Sequence, residues 1–189
     1  MAKLEVKKFG EEILRKQCSA VTKFDKDLEK LANDMLETMY ESNGVGLAAP
    51  QVGVNKRVIV VDTDWASERY EDQQEEDPEY NPFIMINPVI VYKEGEVDSL
   101  EGCLSFPEVF TIVKRANRIV FKFQDLKGKE HRMEAEGDLF CRCIQHEIDH
   151  LDGQLFVDIA TDKISTQKEL DEHGFKGVKS TPNPLLMGN

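Results

Sequence analysis

Three observations predict an α+β fold with a mostly antiparallel sheet. The elements run in the order helix, strands, helix, tail. Helical apolar periodicity appears at 23–40 and again at 138–152. Between these segments lie short β-branched and alternating runs broken by turn residues.

The first helix reads from "KFDKDLEKLANDMLETMY" (23–40), where Leu28, Leu31, Met35, Leu36 and Met39 share a face. Asp25 is its N-cap and "SNG" (42–44) its stop. "VNKRVIVVD" (54–62) reads as a strand. "FIMINPVIVYKEGEVDSLEGCLS" reads as strands punctuated by Pro88 and Gly95. "RIVFKFQDLKGKEHRMEAEG" (118–137) alternates apolar and polar residues and turns at Lys127-Gly128, a hairpin signature. Residues 64–82 carry seven Asp or Glu among the fifteen from Ala66 to Tyr80, which predicts a solvated acidic loop. Residues 161–189 read as a tail that ends irregularly.

Composition narrows the function. A chain of 189 residues, 40% hydrophobic and 32% charged, can build a core and reads as soluble and globular. A net charge of −12 opposes binding to nucleic acid or to an anionic membrane surface. The start "MAKLEVKKFGEEIL" has no apolar signal core, and "VIVV" (58–61) is too short to span a bilayer. A cytoplasmic location with Cys18, Cys103, Cys141 and Cys143 reduced is therefore expected.

The chemistry concentrates in "CRCIQHEIDH" (141–150). On a helix, His146, Glu147 and His150 fall within about 100° of one another, together with Leu139 and Cys143. Phe140, Cys141, Ile144, Ile148 and Leu151 fall on the opposite side. Gly153 is the expected C-terminal stop. Histidines four apart can share one metal ion, and a glutamate on the same side can act on its water, the content of an H-E-x-x-H motif.

A catalytic site of this kind needs a third protein ligand. Thermolysin-like proteases take a glutamate from a later helix; here only Glu169 and Glu172 follow, without a long helical domain. The metzincin extension fails, since His150 is followed by "LDGQLF". Among the cysteines, Cys141 lies on the packed side and Cys18 in a polar stretch. Cys143 shares the histidine face, but helical side chains lean toward the N-terminus and carry its thiol away. Cys103, in "LEGCLSFPE", sits between Gly102 and Pro107 in what reads as a tight, exposed turn at a strand end. Geometry favours Cys103, with Cys143 the rival.

Three segments, "GVGLAAPQ" (44–51), "EGCLS" (101–105) and "QHEIDH" (145–150), resemble in order and spacing the three signature motifs of the peptide deformylase family. "GEEILRKQC" and "HLDGQLFVD" are similar too, and the likeness spans roughly 1–160. The resemblance implies small antiparallel sheets around a central helix carrying H-E-x-x-H, with an N-terminal helix. It implies one catalytic domain over 1–165 with an acidic insert at 64–82, and a C-terminal extension at 166–189, partly helical and then irregular. The implied reaction removes the formyl group from N-formyl-methionyl nascent peptides and releases formate. The implied ligands are Cys103, His146 and His150, holding Fe²⁺ natively, with Zn²⁺, Ni²⁺ or Co²⁺ able to replace it. Glu147 would move protons, and the Gln51 side chain and the Leu104 backbone N–H would stabilise an oxyanion. Gly44 and Gly46 would let the backbone approach the substrate. Val45, Leu139 and Cys143 would line an apolar methionine pocket. Glu101 and Asp149 would orient ligands or Arg115.

The chain departs from some members in three places. Phe110 stands where some carry an arginine that contacts the substrate backbone. The acidic insert has no counterpart in the shortest members. Where some dock on the ribosome with a basic C-terminal helix, residues 161–189 here hold four lysines against four acids, so any transient ribosome contact lacks that basic helix. Two other classes share part of the pattern. A zinc endopeptidase would need a third Glu or His ligand. A non-catalytic metal-bound module that binds nascent chains would leave Glu147 and Gln51 without a purpose.

Overall fold

A five-stranded antiparallel sheet with a helix on each face forms the larger part of the computed structural model, which describes residues 2–67, 79–162, 164–166 and 168. Helix α1 spans Lys26–Glu41. Asp25 caps it, its side chain accepting the Leu28 N–H at 3.0 Å. Strands β1 (Gly46–Ala48), β2 (Val58–Val61), β3 (Phe83–Glu94), β6 (Arg118–Gln124) and β7 (Glu130–Glu136) form the sheet in the order β1-β2-β3-β6-β7. A short helix α2, Asp64–Ser67, follows β2. Strands β4 (Val97–Cys103), β5 (Phe106–Arg115) and β8 (Ser165–Thr166) form a second antiparallel sheet. Helix α3 spans Leu139–Leu151, capped by Asp138, whose side chain accepts the Cys141 N–H at 2.8 Å.

Strand β2 explains its own sequence. Val58 and Val60 pack with Leu28, Met35, Leu36 and Met39 of α1. Ile59 and Val61 pack with Ile144, Ile148 and Leu151 of α3. A strand covered on both faces needs no polar residue, hence the unbroken "VIVV". A third cluster, Leu14, Cys103, Phe106, Val113, Leu155 and Phe156, lies beneath the three-stranded sheet. Helix α3 is buried along both faces, with His146, Glu147 and His150 as inaccessible as Ile144 and Leu151. Among the described residues no helix is long and apolar enough to cross a membrane.

The structure redraws four sequence expectations. Pro88 does not end a strand. β3 passes through it with a register shift between Ile86 and Val89, after Asn87 at φ +50°, and the true turn is at Gly95. The turn after Cys103 is not exposed, because Cys103 and Ser105 are buried against the third cluster and Gln51. Cys18 leaves its polar surroundings for the core, its N–H donating to the Leu151 carbonyl at 2.7 Å. The acidic segment begins as helix α2, with Trp65 buried, rather than as a solvated loop. Residues 68–78 lie outside the described residues, as do 167 and 169–189, where the helical and irregular tail was expected. Thr166 still pairs with Val109.

Candidate active site

The long helix α3 brings His146 and His150 to the seam between the two sheets, one turn apart. Cys103 arrives from the end of β4, where a bulge between Gly102 and Cys103 turns the chain into β5. The Cys103 sulfur and the ring nitrogens of His146 and His150 all lie within 4.8 Å of one another, and all three residues are buried. Cys103 Sγ is 3.5 Å from His150 Nε2, which is 3.2 Å from His146 Nε2. Cys143 takes no part. Its sulfur lies 3.7 Å from the Val45 carbonyl oxygen, on the side facing β1.

The imidazole orientations follow from their outer contacts. His146 Nδ1 is 2.8 Å from a Glu101 carboxylate oxygen. A carboxylate only accepts, so Nδ1 carries the proton and Nε2 presents a lone pair toward Cys103 and His150. Arg115 grips the same carboxylate with two hydrogen bonds, at 2.9 and 2.6 Å, and donates to Asp149 at 2.6 Å. Burial pushes the Glu101 carboxyl up, but the Arg115 guanidinium overrides it. With the His146 hydrogen bond added, the carboxyl is held down at about 2. Burial holds His150 well below its ordinary value, so its ring is neutral, the form a metal requires. Burial pushes the Cys103 thiol up, the Glu147 charge adds to this, and the Ser105 amide and hydroxyl pull against it.

The donor set fits a metal ion. One soft sulfur and two imidazoles converge in a buried site, the set that suits Fe²⁺ or Zn²⁺. A bound cation would supply the positive charge that the Cys103 thiolate lacks in these surroundings.

Gln51 lies in the 3₁₀ turn Ala49–Val52, directly after β1. Its side-chain oxygen accepts the Ala48 N–H at 2.9 Å, which fixes the amide orientation. The NH₂ group therefore points at Cys103 Sγ (3.4 Å) and Ser105 Oγ (3.3 Å). Leu104 occupies the turn beside Cys103, its carbonyl accepting from Lys8 Nζ at 3.0 Å. Glu147 is fully buried next to β1. A methyl group on Gly46 would stand 2.6 Å from Cys143 Sγ and 2.9 Å from Glu147 Oε1, so only glycine admits this approach. Val45 and Cys143 are buried neighbours, and Leu139 packs partly exposed against the same cluster. Gly44 donates to the Met39 carbonyl and accepts from Trp65. Phe110 is buried opposite Gly102.

Three contributors lie within the segments that carry the resemblance, but no role for them could be read there. Ser105 touches both Gln51 and Cys103. Phe156 packs against His146, ring centre to ring centre at 5.7 Å. Gln145 clasps the backbone of Ala116, accepting its N–H at 2.9 Å and donating to its carbonyl at 3.0 Å, which ties α3 to the β5–β6 turn.

Known proteins resemble this chain in sequence and fold. A family model described as polypeptide deformylase matches residues 3–166. A peptide deformylase of Thermodesulfovibrio yellowstonii is 48% identical over 180 residues, covering 95% of this chain and 100% of its own. One of Dictyoglomus thermophilum is 47% identical over 165 residues, covering 87% and 97%. The crystal structure of peptide deformylase from Thermotoga maritima superposes with a TM-score of 0.75 at 38% identity, covering 86% of this chain and 100% of its own. A Met-Ala-Ser-bound peptide deformylase from Acinetobacter baumannii gives 0.72 at 36% identity, covering 84% and 98%. Three converging ligand-type donors, a buried glutamate and an aimed glutamine amide thus sit within a chain that matches these proteins almost end to end. The chain belongs to the peptide deformylase family, metal-dependent hydrolases that remove the formyl group from the N-terminal formyl-methionine of newly made polypeptides.

Proposed function

We propose that Cys103, His146 and His150 hold the catalytic metal, natively Fe²⁺, with Zn²⁺, Ni²⁺ or Co²⁺ as substitutes. The convergence of these three buried donors beside Glu147 carries the reading. When bound, the ion supplies Lewis acidity, which makes water a nucleophile near neutral pH and polarises the formyl oxygen.

The protein's own groups do the rest. Glu147 takes a proton from the attacking water and returns it to the departing amine, so that formate and a free N-terminus leave. The Gln51 NH₂ group and the Leu104 N–H donate to the oxygen that gains charge in the tetrahedral state. Gln51 is suited to this because Ala48 already occupies its carbonyl oxygen. Its donors are preorganised and need not reorient during the reaction. β1 is the edge strand of its sheet, the position at which an extended peptide can add as a further strand. Gly44, Val45 and Gly46 then guide the formyl-methionine, and Val45, Leu139 and Cys143 line its side chain. Residues 1–165 form the catalytic domain, which acts in the cytoplasm on chains emerging from the ribosome; any ribosome contact is transient.

The test is formate release from a formyl-Met peptide by anaerobically purified protein, with metal analysis of the same sample. Activity should track Fe²⁺ content. Glu147→Gln should lower kcat by about 10²–10⁴-fold at unchanged metal content. A metal-loaded wild type that leaves formyl peptides intact would sink this reading.

A further inference from the structure

The backbone just before β1 is held by two backbone hydrogen bonds and by one from a side chain. Gly44 donates to the Met39 carbonyl at the end of α1 (2.9 Å) and accepts from the Trp65 indole N–H (3.0 Å). The Val45 carbonyl accepts the Asp62 N–H at 2.9 Å. One residue later, Gly46 faces Cys143 and Glu147 with no room for a methyl group. An error of a few tenths of an ångström at Gly44 would therefore reach Glu147.

Trp65 is itself immobilised. It is 1% exposed. Its backbone N–H and that of Asp64 donate to one Asp62 oxygen, at 3.2 and 3.1 Å. The other Asp62 oxygen accepts from Tyr40 (2.6 Å) and from the Asn81 N–H (2.9 Å). Tyr40 meets the indole edge-on at 5.2 Å, and Tyr80 lies parallel to it at 6.4 Å. This buried carboxylate ties the residues on both sides of 68–78 to α1, and it holds the indole as a fixed donor over Gly44.

We propose that Trp65 is a positioning residue for formyl-peptide binding: its indole N–H pins the Gly44 carbonyl and so sets the Gly44–Gly46 backbone against Glu147. This rests on the proposed function, in which Gly44–Gly46 guide the substrate. The plainer alternative is a core aromatic whose buried N–H merely needs an acceptor. Removing the N–H while keeping the ring separates the two.

In Trp65→Phe, KM for a formyl-Met peptide should rise about ten-fold, as expected when a buried carbonyl loses its donor, and kcat should fall by a smaller factor, because the same backbone abuts Glu147. Metal content should not change. A folded, metal-loaded Trp65→Phe protein with KM within about two-fold of wild type would overturn the proposal, whatever its melting temperature. Trp65 is also the only tryptophan of the chain. Replacing it by 3-benzothienylalanine, in which sulfur stands where the indole N–H was, therefore alters this position alone and keeps the fused ring. This replacement should raise KM as Trp65→Phe does, and it decides the matter if Trp65→Phe does not fold. A folded, metal-loaded protein of this kind with KM within about two-fold of wild type would overturn the proposal. A wild type that releases no formate would instead remove the reading of the site on which it stands.

Discussion

Glu101, in the three-stranded sheet, and His146, in the central helix, are joined by a 2.8 Å hydrogen bond that ties the two halves of the fold at the metal-type site. The same carboxylate takes both hydrogen bonds of a buried Arg115 fork. It therefore fixes a tautomer and also neutralises a cation that burial would otherwise make costly.

Glu101→Gln should weaken metal binding by about 10- to 100-fold, because His146 loses the charge that orients its ring. It should also lower stability by about 3 kcal/mol, because Arg115 keeps only Asp149 as a charged partner. Competition with a chelator measures the first and urea unfolding the second. Unchanged affinity would mean that the His146 ring is held by packing against Phe156 alone.

Cys103→Ala and Cys143→Ala should separate cleanly. The first should lose the metal and, with it, formate release. The second should retain near-stoichiometric metal, because its sulfur faces the Val45 carbonyl at 3.7 Å rather than the histidines. Metal-to-protein ratios after gel filtration decide this. Loss of metal from Cys143→Ala would reverse the assignment.

Gly46→Ala should destabilise the protein by about 1–3 kcal/mol, the usual cost of overpacking, and should lower activity by displacing Glu147. Adding Cys143→Ala should recover part of the stability, since the nearest clash is with that sulfur. Most of the activity should stay lost, since the 2.9 Å approach to Glu147 Oε1 remains. Thermal melts and kcat of the single and double variants test the pair.

Asp34 should make stability pH-dependent. The hydrogen-bonded Lys30 ammonium holds its carboxyl below the ordinary value against the opposing effect of burial, and the Ala2 N–H assists. A carboxyl lowered in the folded state binds fewer protons there than in the unfolded chain near pH 4. Its contribution is thus complete above the unfolded value of about 3.9 and is lost as pH falls below it. The stability difference between wild type and Asp34→Asn should be largest near pH 7 and shrink toward pH 3. A difference independent of pH would show that only the neutral hydrogen bonds matter.

Much of the fold could be read locally. The α1 cap at Asp25 and the hairpin turn at Gly128 (φ +81°) depend on neighbours within a few residues. The spacing of His146, Glu147 and His150 is likewise a property of one helix. These features are set by chain geometry at short range, where residue type and position suffice.

Long-range register was harder to read. The course of β3 through Pro88 depends on a bulge, and the burial of the Cys103 turn depends on Gln51 and on the cluster around Phe156. No periodicity records such contacts. Trp65 shows this most clearly: it sits at the start of an acidic run that reads as solvated, yet it is buried because Tyr40 and Gly44 meet it from across the fold, while Asp62 holds its backbone locally. Residue order and spacing were enough for the α+β class, the H-E-x-x-H helix and the resemblance of three motifs. The resemblance already named Cys103 as the third ligand and Glu101 or Asp149 as orienting carboxylates; the contacts themselves, Cys103 with His150, Glu101 with His146 and Trp65 with Gly44, came only from packing. Those pairs lie 47, 45 and 21 residues apart in the chain, and only the assembled sheets bring them within hydrogen-bond reach.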